Sequence, residues 1–195
     1  KYKPVKNLLS KGSTNTKTAK NSLETFILYL APERQNSKGV NLCPKASKGC
    51  AAACLYTAGR GKFSNVKASR INKSEYYISD KKTFINQLSK EIVKIAAKSI
   101  KQNKKIAIRL NGTSDQDFIS IIKKYNNLDL LNDKQFKNLV FYDYTAILGK
   151  IKKYINTSYS LTLSRKEDNE SEIIEALKLG GNVAAVFRDE LPTKY

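Results

Sequence analysis

The spacing of apolar positions changes several times along the chain. Residues 25–32, TFILYLAP, form an apolar run closed by Pro32, the pattern of a buried strand. From Ser79 the spacing lengthens. Phe84, Ile85, Leu88, Ile92, Ile95, Ala96 and Ile100 recur at the helical period opposite a lysine-rich face. A long helix is predicted there, capped by Asp80 or Ser79. KIAIRL (105–110) then reads as a strand and NGTSD as a turn, followed by a helix over QDFISIIKKYN (116–126). KNLVFYDYT (137–145) is strand-like, AILGKIKKYI (146–155) a short helix and YSLTLSR (159–165) a strand. Ser171, with Glu172 and Glu175, opens a last helix that Gly180 and Gly181 stop. NVAAVFRDE (182–190) is the final strand.

Strands that alternate with helices imply parallel pairing through right-handed crossovers. The expected fold is a single α/β domain over residues 1–195, with a mostly parallel sheet of about five strands. Five strands are too few for an eight-fold barrel, so the sheet is open or a partial (β/α) barrel. A cysteine-bearing loop follows the first strand. Residues 1–22 are polar, and no internal repeat is visible.

Ligands of parallel α/β folds sit at the carboxyl ends of the strands. Here those ends carry Arg109, Asn111, Thr113, Ser114 and Asp115 after one strand, and Asp143 and Tyr144 after the next. Ser164 and Arg165, then Arg188, follow the last two. Each alone is an ordinary turn former or cap, and Ser114 or Asp115 is expected to cap the next helix. Their coincidence at successive strand ends points to one pocket. Asp115, Asp143 and Tyr144 are its candidate catalytic groups in a chain without histidine. Asn111, Thr113, Ser114, Arg109 and Arg188 are the candidate ligand-binding groups.

All the sulfur of the chain lies in NLCPKASKGCAAACLYTAGRG (41–61), as Cys43, Cys50 and Cys54. The alanines between Cys50 and Cys54 favour a helical turn with both thiols on one face. An odd count is unlike a secreted disulfide scaffold. Structural zinc wants four donors, usually cysteine or histidine, and this chain has no histidine. An all-thiolate set suits an iron–sulfur cluster. With three cysteines a [4Fe–4S] cluster keeps one iron open to a small ligand, and a [3Fe–4S] cluster needs only the three. Zinc completed by a carboxylate or water, and redox-active or inert thiols, are the alternatives.

The formal net charge of +19 attracts polyanions, nucleic acid first among them. Lysine outnumbers arginine five to one, 30 to 6. That tempers the expectation, because arginine is favoured for bidentate phosphate and base contacts. A lysine-rich, AT-biased composition is the competing explanation. No apolar run is long enough to span a bilayer. The first residues lack the apolar core of a signal peptide. The expected partners therefore exclude a membrane.

Three cysteines after the first strand of a partial barrel resemble the arrangement of radical SAM enzymes. That resemblance implies S-adenosylmethionine as a cosubstrate at the open iron. Their usual spacing is C-x3-C-x2-C, whereas this chain has C-x6-C-x3-C, and NGTSD stands where a GGE-like stretch would be. A more specific resemblance is to the phage proteins of the gene product 88-like family. It is carried by STNTKTAK (13–20), ILYLAP (27–32), the cysteine segment, RLNGTSD (109–115), FYDYT (141–145) and NVAAVFRDELP (182–192). It implies a protein made by a phage and acting in the cytoplasm of an infected bacterium. The function expected from the residues is an iron–sulfur protein with an open-iron site at the strand rim, acting on a nucleotide or nucleic acid. The alternative is a basic, non-enzymatic nucleic-acid- or protein-binding module with a structural metal site.

Overall fold

A computed structural model describes residues 1–12, 23–52, 54, 56 and 59–187. Six strands form one sheet: β1 (Leu9–Lys11), β2 (Glu24–Leu28), β3 (Ile106–Arg109), β4 (Leu139–Thr145), β5 (Ser160–Ser164) and β6 (Asn182–Ala184). They lie side by side in chain order. β1 is antiparallel to β2, and every later pairing is parallel. Six helices accompany them among the described residues: α1 (Lys48–Ala52), α2 (Ser64–Ser79), α3 (Lys81–Lys101), α4 (Phe118–Asn126), α5 (Leu148–Tyr154) and α6 (Glu170–Lys178). The architecture is a mostly parallel, open α/β sheet and not a closed barrel, as the alternation of patterns predicts.

Sequential strand order follows from crossovers of one hand. Each step moves one place along the sheet, so the crossover helices fall on the same face. Ile106, Ile108, Phe141, Leu161 and Leu163 point to that face and share one core with Leu88, Ile92, Ile122, Ile151 and Ile173. The amphipathic stripe read from the sequence is the buried side of α3.

Several local expectations change. The segment before Ser79 is itself helical, so α2 and α3 abut at Asp80, which caps α3 by accepting from Thr83 N at 3.2 Å. The cap of α4 is Asp117, which accepts from Ser120 N at 3.2 Å, rather than Ser114 or Asp115. α6 begins one residue before Ser171, with Asn169 at its cap position. Asn169 instead braces the preceding turn, accepting from Lys166 N and donating to Ser164 O. Gly180, at φ 79°, supplies the left-handed stop after α6. β1 was not legible as a strand: three residues carry too little pattern, and pairing with β2 creates it. The STNTKTAK stretch (13–20), Arg188 and the rest of the C-terminal motif lie outside the described residues.

Candidate functional site

The rim at the carboxyl ends of β2 to β5 is assembled from backbone outward. Gly112 N donates to Leu28 O at 2.9 Å, and the Thr113 hydroxyl donates to Leu30 O. The turn after β3 therefore clips onto the extension of β2. A Cβ on Gly112 would lie 2.5 Å from the Tyr29 ring, so this close approach requires glycine. Asp115 N and the Gln116 side chain both donate to Leu42 O, at 2.9 and 3.1 Å. The next residue is Cys43, whose thiol donates to Thr113 O at 3.5 Å. The cysteine segment is thus docked on the NGTSD turn.

Two buried carboxylates hold this turn to the rest of the sheet. Asp143 accepts from Leu110 N at 3.2 Å, Asn111 N at 3.0 Å, the Asn111 amide at 3.2 Å and the Tyr159 hydroxyl at 2.8 Å. Arg109 Nε lies 3.5 Å away. Burial pushes the Asp143 carboxyl upward, while Arg109 and the donated hydrogen bonds pull it back. Burial and the neighbouring carboxylate push the Tyr159 phenol up, so it stays a donor. Asp115 accepts from the Thr145 hydroxyl at 2.9 Å, Ala146 N at 2.8 Å and the Lys150 ammonium at 2.7 Å. Asn111 uses its oxygen on Ser114 and Gln116 N, and its amide on Asp143 and Gln116 O. Asn111, Thr113, Ser114, Asp115 and Asp143 do converge. They converge on one another, and their hydrogen-bonding capacity goes into bracing the rim.

The cysteines lie at this same edge. Cys43 is half-buried, Cys50 exposed and Cys54 half-buried, and none of them is in a disulfide. α1 ends at Ala52, so Cys50 and Cys54 do not share a helix face. Glu167, in the loop after β5, accepts from Ser47 Oγ and Gly49 N, both at 2.8 Å, and anchors α1. A Cβ on Gly49 would meet that carboxylate at 2.9 Å. Burial, and after it the nearby Asp115, Cys54 and Cys50, push the Cys43 thiol up to about 11. Burial and the Cys54 thiol also raise Cys50. Among the described residues, no three of Cys, His, Asp and Glu converge closely enough to hold one metal ion. A cluster spreads its ligands over several metal atoms and asks for less convergence than a single ion. The donor set at this edge is chemically all thiolate, the kind of ligand that iron–sulfur clusters take.

Tyr144 lies on the sheet face opposite α3–α6, and Arg109 links it to the rim: its Nε reaches Asp143, and its guanidinium carbon is 5.0 Å from the centre of the Tyr144 ring. Arg70 of α2 was not anticipated. Its guanidinium lies 4.7 Å from the Tyr29 ring centre and 5.6 Å from that of Tyr56. The scarcity of arginine was the one signal that could have singled it out. Lys150 gave no signal among 30 lysines, and Glu167 none within a polar loop.

Fold and rim together define a class: an open α/β sheet whose carboxyl edge carries a three-cysteine segment. The chain belongs to the gene product 88 family, a phage family, which it matches over residues 7–195. Neither the curated proteins nor the solved structures contain a match. None of these comparisons supports the likeness to radical SAM enzymes. No helix among the described residues is long and apolar enough to cross a membrane.

Proposed function

We propose that the chain is a phage iron–sulfur protein in which Cys43, Cys50 and Cys54 ligate a [4Fe–4S] cluster at the carboxyl rim of the sheet. The observation that carries this reading is the docking of the cysteine segment on the NGTSD turn, with the Cys43 thiol 3.5 Å from Thr113 O. It brings the whole sulfur content of the chain to the edge where α/β folds place ligands. The bound cluster would supply one iron open to a small ligand.

The residues around it have definable roles. The Asp115–Lys150 and Asp143–Tyr159 contacts hold the turn in place. Glu167 fixes the start of α1 and with it the position of Cys50. Cys43 and Cys50 must lose protons to become ligands. Because burial raises both thiols, loading should strengthen as pH rises toward neutral and above. The cytoplasm of the infected host is the fitting compartment, since it keeps thiols reduced.

The test is anaerobic purification with iron and sulfide analysis and electron paramagnetic resonance. Brown protein with sulfide-matched iron, and sharp loss of iron in Cys43→Ala, Cys50→Ala and Cys54→Ala, is the expected result. Stoichiometric zinc without sulfide would overturn the reading. Titrating loaded protein with S-adenosylmethionine separates a catalytic open iron from a structural cluster.

A further inference from the structure

The helices α3–α6 cover one face of the sheet, and the pleat sends alternate residues to the other. That other face carries Arg109, Tyr142 and Tyr144, and its upper border carries Tyr29, Tyr56 and Arg70. Beside β2 it is buried, with Ile27 1% and Ala107 5% exposed. Towards β4 and β5 it opens, and Tyr144 is 44% exposed.

One feature there is incomplete. Arg70 Nη1 is buried without a hydrogen-bond partner, and no carboxylate pairs with Arg70 among the described residues. A buried guanidinium nitrogen without an acid is costly unless an anion completes it. Arg109 differs: its Nε makes no hydrogen bond but forms an ion pair with Asp143 Oδ1 at 3.5 Å. Burial lowers the Arg70 pKa, consistent with a missing counter-charge. Both guanidiniums also stack on tyrosines. Two of the chain's six arginines are thus on or beside this face, while most of the positive charge elsewhere is lysine.

Tyr144 makes the β4 end of this face open to solvent. Cavities of about 270 and 300 Å³ lie at the opposite end of the sheet, one lined by Thr157, Ser158 and Gly180, the other by Leu23, Lys104 and Lys105. An extended ligand suits that open end better than an enclosed small one. Aromatic rings interleaved with arginine, within a field of +19, are how proteins grip unpaired bases and their phosphates.

We infer that the sheet face opposite α3–α6 binds single-stranded nucleic acid, with bases stacked on Tyr144 and Tyr142 and phosphates held by Arg109 and Arg70. The inference does not depend on the cysteine chemistry.

The test is fluorescence anisotropy of the full chain with a labelled twelve-residue oligo-dT, an abasic strand of equal length, and thymidine monophosphate. Oligo-dT should bind at about 50 mM salt, weaken steeply with added salt, and bind better than the abasic strand. Tyr144→Ala should weaken it about 5-fold or more, as loss of one stacked base does. Tyr144→Phe should keep parental affinity, which separates stacking from misfolding. Arg70→Gln should lower both affinity and the salt slope. Lys101→Ala, at the end of α3, should change binding less than about 2-fold, the expectation for one phosphate-independent surface charge. Equal binding of the abasic strand with an unaffected Tyr144→Ala would reduce the effect to diffuse charge and overturn the inference. Monophosphate binding as tight as the oligomer would overturn it in favour of a small-ligand site. No binding at low salt would overturn it outright.

Discussion

Replacing Asp115 by alanine removes the partner of a buried lysine. Asp115 and Lys150 are 8% and 7% exposed, and their charged groups meet at 2.7 Å. In Asp115→Ala the ammonium keeps only Gln116 O, at 3.0 Å, and Ala146 N loses its acceptor. Breaking a buried pair from one side costs about 3–5 kcal/mol, and an orphaned amide about 1–3 more. These terms overlap, so a loss of about 4 kcal/mol is expected. For a chain of this length that lowers the melting temperature by roughly 8–16 °C. Lys150→Met alone should also destabilise, by leaving the carboxylate unpaired. The double variant Asp115→Ala/Lys150→Met should recover about 2 kcal/mol or more over Asp115→Ala, since no buried charge remains. Urea unfolding followed by circular dichroism measures all four corners of the cycle. If Asp115→Ala lies within about 1 kcal/mol of the parent, or the double variant is no better than the single, the bracing role fails. A catalytic role for Asp115 would then gain.

Two further perturbations probe the same framework. Gly112→Ala would drive a methyl to 2.5 Å from the Tyr29 ring and 2.8 Å from Ile27 Cγ2. It should cost about 1–3 kcal/mol in chemical denaturation, with a smaller penalty when Tyr29 is also replaced by alanine. Lys73 is buried and donates to Leu8 O at 2.7 Å, and burial lowers its pKa from 10.5 to about 8. The unfolded chain keeps that proton up to 10.5 while the folded chain releases it near 8. Stability should therefore rise across that window, by up to about 3 kcal/mol, relative to Lys73→Met. A parallel pH dependence in the two proteins would show that Lys73 is not the titrating group.

What could be read in advance follows the range of the forces involved. The stripe at Phe84, Leu88, Ile92 and Ile95 and the apolar runs at 106–110 and 139–143 are periodic signals of local structure. Their alternation was enough to predict a parallel α/β sheet and to place the rim at the strand ends. The cysteine cluster was equally visible, because its signal is chemical identity and spacing. The roles of Asp115 and Asp143 were not. A carboxylate after a strand looks the same whether it faces a ligand or the backbone of its neighbour. Only the packing of β3 against β4, and of α5 beneath them, turned these two into braces with Lys150 and Tyr159. The pairing of Arg109 with Tyr144 and of Arg70 with Tyr29 was hidden for the same reason. Stacking joins residues 35 and 41 positions apart, and which face of the sheet they share depends on strand register. The sequence alone determined the main strands and helices and their order, but not β1 or α2. The tertiary structure decided which polar groups are consumed in holding the rim together, because that depends on long-range contacts that no local pattern encodes.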